Sequence, residues 1–287
     1  MSKIKINYDN LFFLKKENIF NFSTNNKGKK ILILGGVHGD EIAGIKAIEN
    51  IIKKLIIDNG EIYFIICNDK AIKKKERFIE ENLNRCFLKN KVSTNSYEEN
   101  LANELKPIMS QFDICLDIHN STSKDTEPFI ICEANAYPLI NSINVKKVVS
   151  NFDKLEPGGT DYFMNSINKI GICIECGYLD DKNSVQVAEN IIINFLKKTC
   201  NIKESSKNFD EKKYYFLDKT YIPKINFVLE KKFKDFEKIK LNQIIGYDNE
   251  NIIYSTNNSI ILFAKNLNNN YEEAFLTAKE ISIKDLS

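Results

Sequence analysis

The chain contains two histidines, His38 and His119, and the residues around them are of types that bind metal. In GGVHGDE, Glu41 follows His38 by three positions. An imidazole and a carboxylate so spaced, on a tight turn entering a helix, can close on one divalent ion. His119 ends another apolar run, FDICLDI. A histidine at a strand end is commonly just a satisfied polar residue. Two matching placements together with Glu41 favour a different reading, in which both strand ends share one sheet edge and His38, Glu41 and His119 converge on a single zinc. A fourth position would stay open to water, as in catalytic rather than structural sites. Asp117, two residues before His119, faces the same side of a strand and is placed to orient the imidazole.

A hydrolytic site of this kind also needs a base and an oxyanion donor. Glu175 is the candidate base, because it is the one carboxylate interrupting the apolar segment GICIECG, and burying it is costly unless it is used or paired. Its bland alternative is a strand-end glutamate held by a backbone or arginine partner. Cys173 and Cys176 form a lone CxxC, on opposite faces if the segment is a strand, which argues against a separate cysteine site. Arg77 and Arg85 supply planar cationic forks suited to a carboxylate or a developing oxyanion. Lys73, Lys74 and Lys75 read as a solvated face.

The elements that must position these groups follow from hydrophobic patterning. Lys30 to Leu34 is short, apolar and β-branched, as a strand buried on both faces would be, and Gly35 and Gly36 allow a sharp turn after it. Ile42 to Leu55 predicts a helix and Glu61 to Cys67 a second buried strand, so a right-handed crossover joins them. The polar stretch NDKAIKKKERFIEENLNRCF is too irregular for a simple amphipathic helix, whereas Ser96 to Met109 has Leu101, Leu105 and Ile108 on one face. Phe112 to Ile118 is a further buried strand, and Val185 to Leu196 an apolar helix. The first thirty residues read as a hairpin or lead-in to the first core strand. From about Lys207 short alternating segments such as KINFVLE and SIILFAK suggest a small β-rich domain, with a boundary near Asn201 to Phe209.

Composition sets the class. With 287 residues, 43% of them hydrophobic, the chain can bury a full core. A formal net charge of only +2 gives no support for nucleic-acid or membrane binding as a main activity. The seven cysteines are odd in number and lie mostly in apolar runs, as reduced core residues do. The N-terminus lacks an apolar signal core, and no segment approaches the roughly 18 apolar residues of a membrane span, so a cytoplasmic location is expected.

The ordered set GGVHGDE, ERFIEENLNRCF, LDIHNSTS and IECG resembles the aspartoacylase and succinylglutamate desuccinylase family, related to the zinc carboxypeptidases, with LDIHNSTS leaning toward aspartoacylase. The resemblance runs from about Ile31 to Gly177. It implies an α/β fold with a carboxypeptidase-like mixed sheet flanked by helices, a catalytic domain over residues 1–205 and a small β-rich domain over 206–287 that narrows the active-site entrance. It implies one zinc per chain held by His38, Glu41 and His119, activation of water by Glu175, polarisation of the scissile carbonyl by Arg77, and binding of the substrate carboxylate by Asn84 and Arg85. A tyrosine that lines the family's pocket matches Tyr271, although the alignment could instead place Asn269 there.

Two departures bear on the substrate. The aspartoacylase arginine expected ten residues before the catalytic glutamate is here Asn165, and nearby Lys169, a flexible point charge, does not replace a bidentate fork. The motif usually written DLNR begins here with Asn82. The expected function is a zinc amidohydrolase that releases an amino acid from an N-acyl amino acid, aspartate-like by resemblance. A carboxypeptidase-like enzyme acting on a small peptide or cell-wall fragment, and a non-catalytic zinc-binding module, remain alternatives. The expected partner is a small molecule, with neither nucleic acid nor membrane, and a homo-oligomer is left open.

Overall fold

A computed structural model describes residues 4–124, 126–199, 201–205, 207–209, 211–268 and 272–282. Its elements in chain order begin with β1 (Ile19–Ser23), β2 (Lys30–Gly35), α1 (Ile42–Ile51), β3 (Glu61–Ile66), α2 (Asp69–Lys74), α3 (Tyr97–Met109) and β4 (Ile114–Ser121). There follow β5 (Phe129–Cys132), α4 (Tyr137–Ile140), β6 (Lys147–Ser150), α5 (Phe152–Leu155), α6 (Thr160–Ser166), β7 (Ile170–Tyr178) and α7 (Ser184–Lys198). Among the described residues the last part contributes strands: β8 (Lys213–Tyr221), β9 (Phe227–Leu229), β10 (Glu237–Ile239), β11 (Ile244–Asp248), β12 (Asn251–Tyr254), β13 (Ser259–Leu262) and β14 (Phe275–Ile281). No helix among the described residues is long and apolar enough to cross a membrane.

The strands β3, β2, β4 and β7 lie side by side and parallel, at the heart of an 11-stranded sheet ordered β1-β3-β2-β4-β7-β5-β6-β8-β14-β13-β10. Both faces of this centre are covered, which is why β2 is apolar without alternation. Ile31 and Ile33 pack under α1 and α7, while Leu32 and Leu34 pack on the other side with Leu101, Leu105 and Met109 of α3. The same alternation splits Cys173 and Cys176 of β7 between opposite faces. The six described cysteines are buried free thiols.

Several boundaries differ from the sequence reading for identifiable reasons. Strand β4 does not stop at Ile118 but continues to Ser121, because β7 pairs with it as far as Ser121 and Tyr178. His119 therefore lies within the strand. Helix α1 ends at Ile51 rather than Leu55, since the chain turns away so that the Asp58 N–H can donate to the Asn201 carbonyl at 2.8 Å. The N-terminal lead-in is an edge strand, β1, antiparallel to β3, rather than a hairpin with β2. The sheet runs across the expected boundary near 201–209: β8 pairs in parallel with β6, Lys213 beside Lys147. The strands β12, β11 and β9 form a separate three-stranded sheet.

The irregular stretch after α2 is held by a residue that hydropathy did not single out. Glu98, in the first turn of α3 and fully buried, accepts from the backbone N–H groups of Ile79 (2.7 Å), Glu80 (3.1 Å) and Glu81 (3.3 Å) and from Asn68 Nδ2 (3.1 Å). Replacing Glu98 with Ala strands these donors. The expected loss is on the order of 3 kcal/mol, measurable by urea unfolding. Loss within experimental error would show that the loop is held by other contacts.

Candidate active site

Two adjacent strand ends and one turn assemble the cluster. Gly36, with φ of 67°, turns the chain out of β2 into the HGDE turn, closed by the Glu41 N–H donating to the His38 carbonyl at 3.3 Å. Gly39 bridges this turn to the next loop by donating its N–H to the Arg77 carbonyl at 3.2 Å. On the sheet, the register sets His119 of β4 directly beside Glu175 of β7, so both project to one face.

His38, Glu41 and His119 lie together, all buried, with one potential ligand atom from each within 4.8 Å of the others. His38 Nδ1 is 2.7 Å from Glu41 Oε1, and His119 Nδ1 is 2.7 Å from Glu41 Oε2. Each ring's other nitrogen has its own partner. His119 Nε2 is 2.9 Å from Asp117 Oδ2, and that oxygen also accepts from Thr160 Oγ1 at 2.6 Å. His38 Nε2 is 2.9 Å from Asn82 Oδ1. That oxygen also accepts the Asn84 N–H at 2.9 Å, which identifies it as the amide oxygen and makes His38 Nε2 the donor.

This arrangement fits a divalent metal. With the Nε2 proton given to Asn82, a neutral His38 presents a bare Nδ1 lone pair to the Glu41 carboxylate, so two acceptors face each other with a cation needed between them. Burial, then the Arg77 guanidinium, holds His38 down at about 4, so the neutral form prevails at ordinary pH. Burial opposes charge on His119, yet the Asp117 carboxylate raises it well above the usual histidine range. Burial likewise works against the Glu41 carboxylate, which the two histidines nevertheless lower well below the usual range. Metal ligands whose second nitrogen is hydrogen-bonded outward are the usual design.

Around this cluster is a cavity of about 220 Å³. Glu175, 7% exposed, lines it, and its Oε2 has no hydrogen-bond partner. Burial, then the Glu41 carboxylate, pushes Glu175 up to about 8. Arg77 also lines the cavity, with Nη1 on Glu41 Oε1 at 2.8 Å. Asn84 places Nδ2 3.5 Å from His119 Nε2. Arg85 is engaged by two carboxylates, Glu156 Oε2 at 2.5 Å and Glu273 Oε2 at 3.5 Å. The structure thus gathers His38, Glu41, His119, Glu175, Arg77, Asn84 and Arg85 around one cavity. Tyr271 and its alternative Asn269 lie outside the described residues.

Other groups on this cavity escaped the sequence reading. Asn120 sends its backbone N–H to Glu41 Oε2 at 3.0 Å. Asp153, Glu156 and Asp161 line the wall but sit in segments that carry no motif, where ordinary surface acids look the same. The departure of Asn82 from DLNR was the one signal for the oxygen behind His38.

The family model described as the succinylglutamate desuccinylase/aspartoacylase catalytic domain matches residues 27–202. A probable aspartoacylase of Nostoc sp. is 30% identical over 172 residues, covering 53% of this chain and 56% of that protein. An N-acyl-aromatic-L-amino acid amidohydrolase (carboxylate-forming) A of Danio rerio is 25% identical over 174 residues, covering 51% and 52%. The chain thus spans about half the length of the curated relatives it matches. Among solved structures, succinylglutamate desuccinylase of Vibrio cholerae superposes with a TM-score of 0.78 at 16% identity, covering 92% of this chain and 86% of that one.

Titration with divalent ions should show about one high-affinity site per chain, with Tm rising as the ion is added and falling with chelator. Asn82→Ala should weaken that affinity roughly 10–100-fold, as loss of an outer partner typically does; unchanged affinity would mean that Asn82 does not orient His38. Glu175 makes a separate prediction for the metal-free protein. Its folded value lies above the ordinary 4.5, so its ionisation opposes folding, and stability is lost as pH rises from about 4.5 to about 8. Glu175→Gln should remove that component of the pH dependence in urea unfolding under chelation, and parallel curves for the two proteins would contradict it.

Proposed function

The chain belongs to the succinylglutamate desuccinylase/aspartoacylase family, and from that premise we propose that it is a zinc-dependent amidohydrolase that cleaves an N-acyl amino acid into a carboxylic acid and an amino acid. The observation that carries this reading is Glu175, a buried carboxylate with an unpartnered oxygen lining the same cavity as the His38, Glu41 and His119 cluster. A protein that merely held a metal would have no use for it. The relatives named aspartoacylase and N-acyl-aromatic-L-amino acid amidohydrolase support the substrate class. Sequence likeness taken alone would point to an N-acyl-aspartate within that class.

In this reading His38, Glu41 and His119 hold the zinc, which when bound supplies Lewis acidity toward the acyl carbonyl and a more acidic water. Glu175 takes a proton from the attacking water and returns it to the leaving nitrogen. Arg77, its guanidinium anchored on Glu41 at the cavity, donates to the oxygen on which charge develops. Asn84 and Arg85 orient the substrate through its carboxylate. Tyr271 is proposed to join them from the C-terminal part. Residues 1–205 are then proposed as the catalytic part and 206–287 as the β-rich part that shapes the entrance; Phe263, Lys265, Glu273 and Leu276 on the cavity wall support the entrance role, with the sheet continuous between the two parts.

Release of free amino acid from a panel of N-acetyl, N-formyl and N-succinyl amino acids by the zinc-loaded protein tests the proposal. Glu175→Gln should lower kcat about 10²–10⁴-fold. Arg77→Ala should lower kcat about 10²–10³-fold with little change in zinc content. Silence across the panel, with zinc bound, would overturn the deacylase reading and favour small peptide substrates.

A further inference from the structure

We propose that the cavity selects an N-acyl amino acid with a cationic side chain, read chiefly by Asp153 with support from Asp161, and disfavours a second carboxylate of the aspartate kind. This inference rests on the deacylase reading of the same site.

It starts at Asn165. At this position, where the aspartoacylase pattern carries an arginine, Asn165 uses its side chain on the scaffold: Oδ1 accepts from Asn135 Nδ2 at 3.0 Å and from the Gly171 N–H at 3.1 Å. Its Nδ2 donates to Asp153 Oδ2 at 3.0 Å. The amide thus holds Asp153 while Asp153 itself lines the cavity. Where an anion-binding fork would stand, the wall displays a carboxylate.

The cations at the cavity do not offset it. Arg77 is held on Glu41; Arg85, shared between Glu156 and Glu273, is taken up in the proposed reaction by the substrate's own carboxylate; and Lys265 is paired with Glu272 at 3.0 Å and Glu273 at 3.5 Å. Asp153 and Asp161 form no ion pair with any described basic side chain, and the Asp161 charge works against that of Asp153. Burial, then Asp161 and Glu133, pushes Asp153 up to about 7, as expected of a carboxylate that lacks its counter-ion. A substrate ammonium or guanidinium supplies that counter-ion. Above about pH 7, where both carboxylates are ionised, a second substrate carboxylate would meet like charge on a partly desolvated wall. Ile131, Phe152 and Leu276 on the same cavity give the methylene stem of a basic side chain an apolar surface.

The test compares three acetyl amino acids of similar size on the zinc-loaded enzyme: Nα-acetylornithine, Nα-acetylglutamine and Nα-acetylglutamate, with N-acetylaspartate added. The expected order of kcat/KM is cationic, neutral, anionic, with about tenfold or more between the ends. Asp153→Asn should cut the preference for acetylornithine over acetylglutamine about tenfold, and Asp153→Glu should restore part of it. An anionic substrate preferred by the wild type overturns the inference, as does a preference ratio unmoved by Asp153→Asn. Should Asp153→Asn fail to fold, Asp161→Asn and the wild-type order decide. Calorimetric binding of the same compounds to zinc-loaded Glu175→Gln separates the two layers. Tightest binding of acetylornithine with no turnover anywhere in the wild type would sink the deacylase reading and leave the charge assignment standing. Turnover led by acetylglutamate or acetylaspartate would do the reverse.

Discussion

The Glu41 carboxylate stands 2.7 Å from one nitrogen of each histidine, 2.8 Å from the Arg77 guanidinium and 3.0 Å from the Asn120 N–H. Three separate parts of the chain, the turn after β2, the loop after α2 and the end of β4, therefore meet on two oxygen atoms. A carboxylate only 2% exposed is tolerated because the Arg77 guanidinium, the His119 ring and the Asn120 N–H answer it, and the direction facing the bare His38 Nδ1 is the one a cation would satisfy. The rest of the centre follows from this arrangement. Asn82 and Asp117 fix the outer nitrogens of the two rings, so the inner nitrogens and the carboxylate face one another across a space that suits a cation.

Support for that centre comes from outside it. The loop bearing Arg77, Asn84 and Arg85 has little regular structure, and it stays in place because the Glu98 carboxylate accepts three consecutive backbone N–H groups. The Gly39 N–H ties the HGDE turn to the same loop. The metal-competent residues and the cationic side chains are thus positioned by backbone contacts that would survive changes in the bound molecule. The far wall of the cavity is different in character, being rich in carboxylates from the α5–α6 region and from the segment before β14. The cavity consequently pairs a centre whose residues could hold a cation with a wall rich in carboxylates.

Much of this was legible in the residues alone. Strands buried on both faces write themselves as unbroken apolar runs, and β2, β3, β4 and β7 were each found that way. His38, Glu41, His119 and Glu175 stand out because polar groups in such runs are costly without a use. Near-invisible were Glu98, Asp153 and Asp161, since an acid in a polar segment looks the same whether it is solvated or buried against backbone amides.

Sequence by itself determined the parallel α/β centre, the metal-competent residue set and the buried Glu175 carboxylate, because local periodicity and the cost of desolvating charge act over a few residues. Only the tertiary structure decided that β8 continues the sheet beside β6, that His119 faces Glu175 across a strand pair, and that Asn165 holds Asp153 on the cavity wall. Those outcomes depend on register and on contacts between segments far apart in the chain. Such contacts arise when strands pair and side chains pack, and no local pattern encodes them.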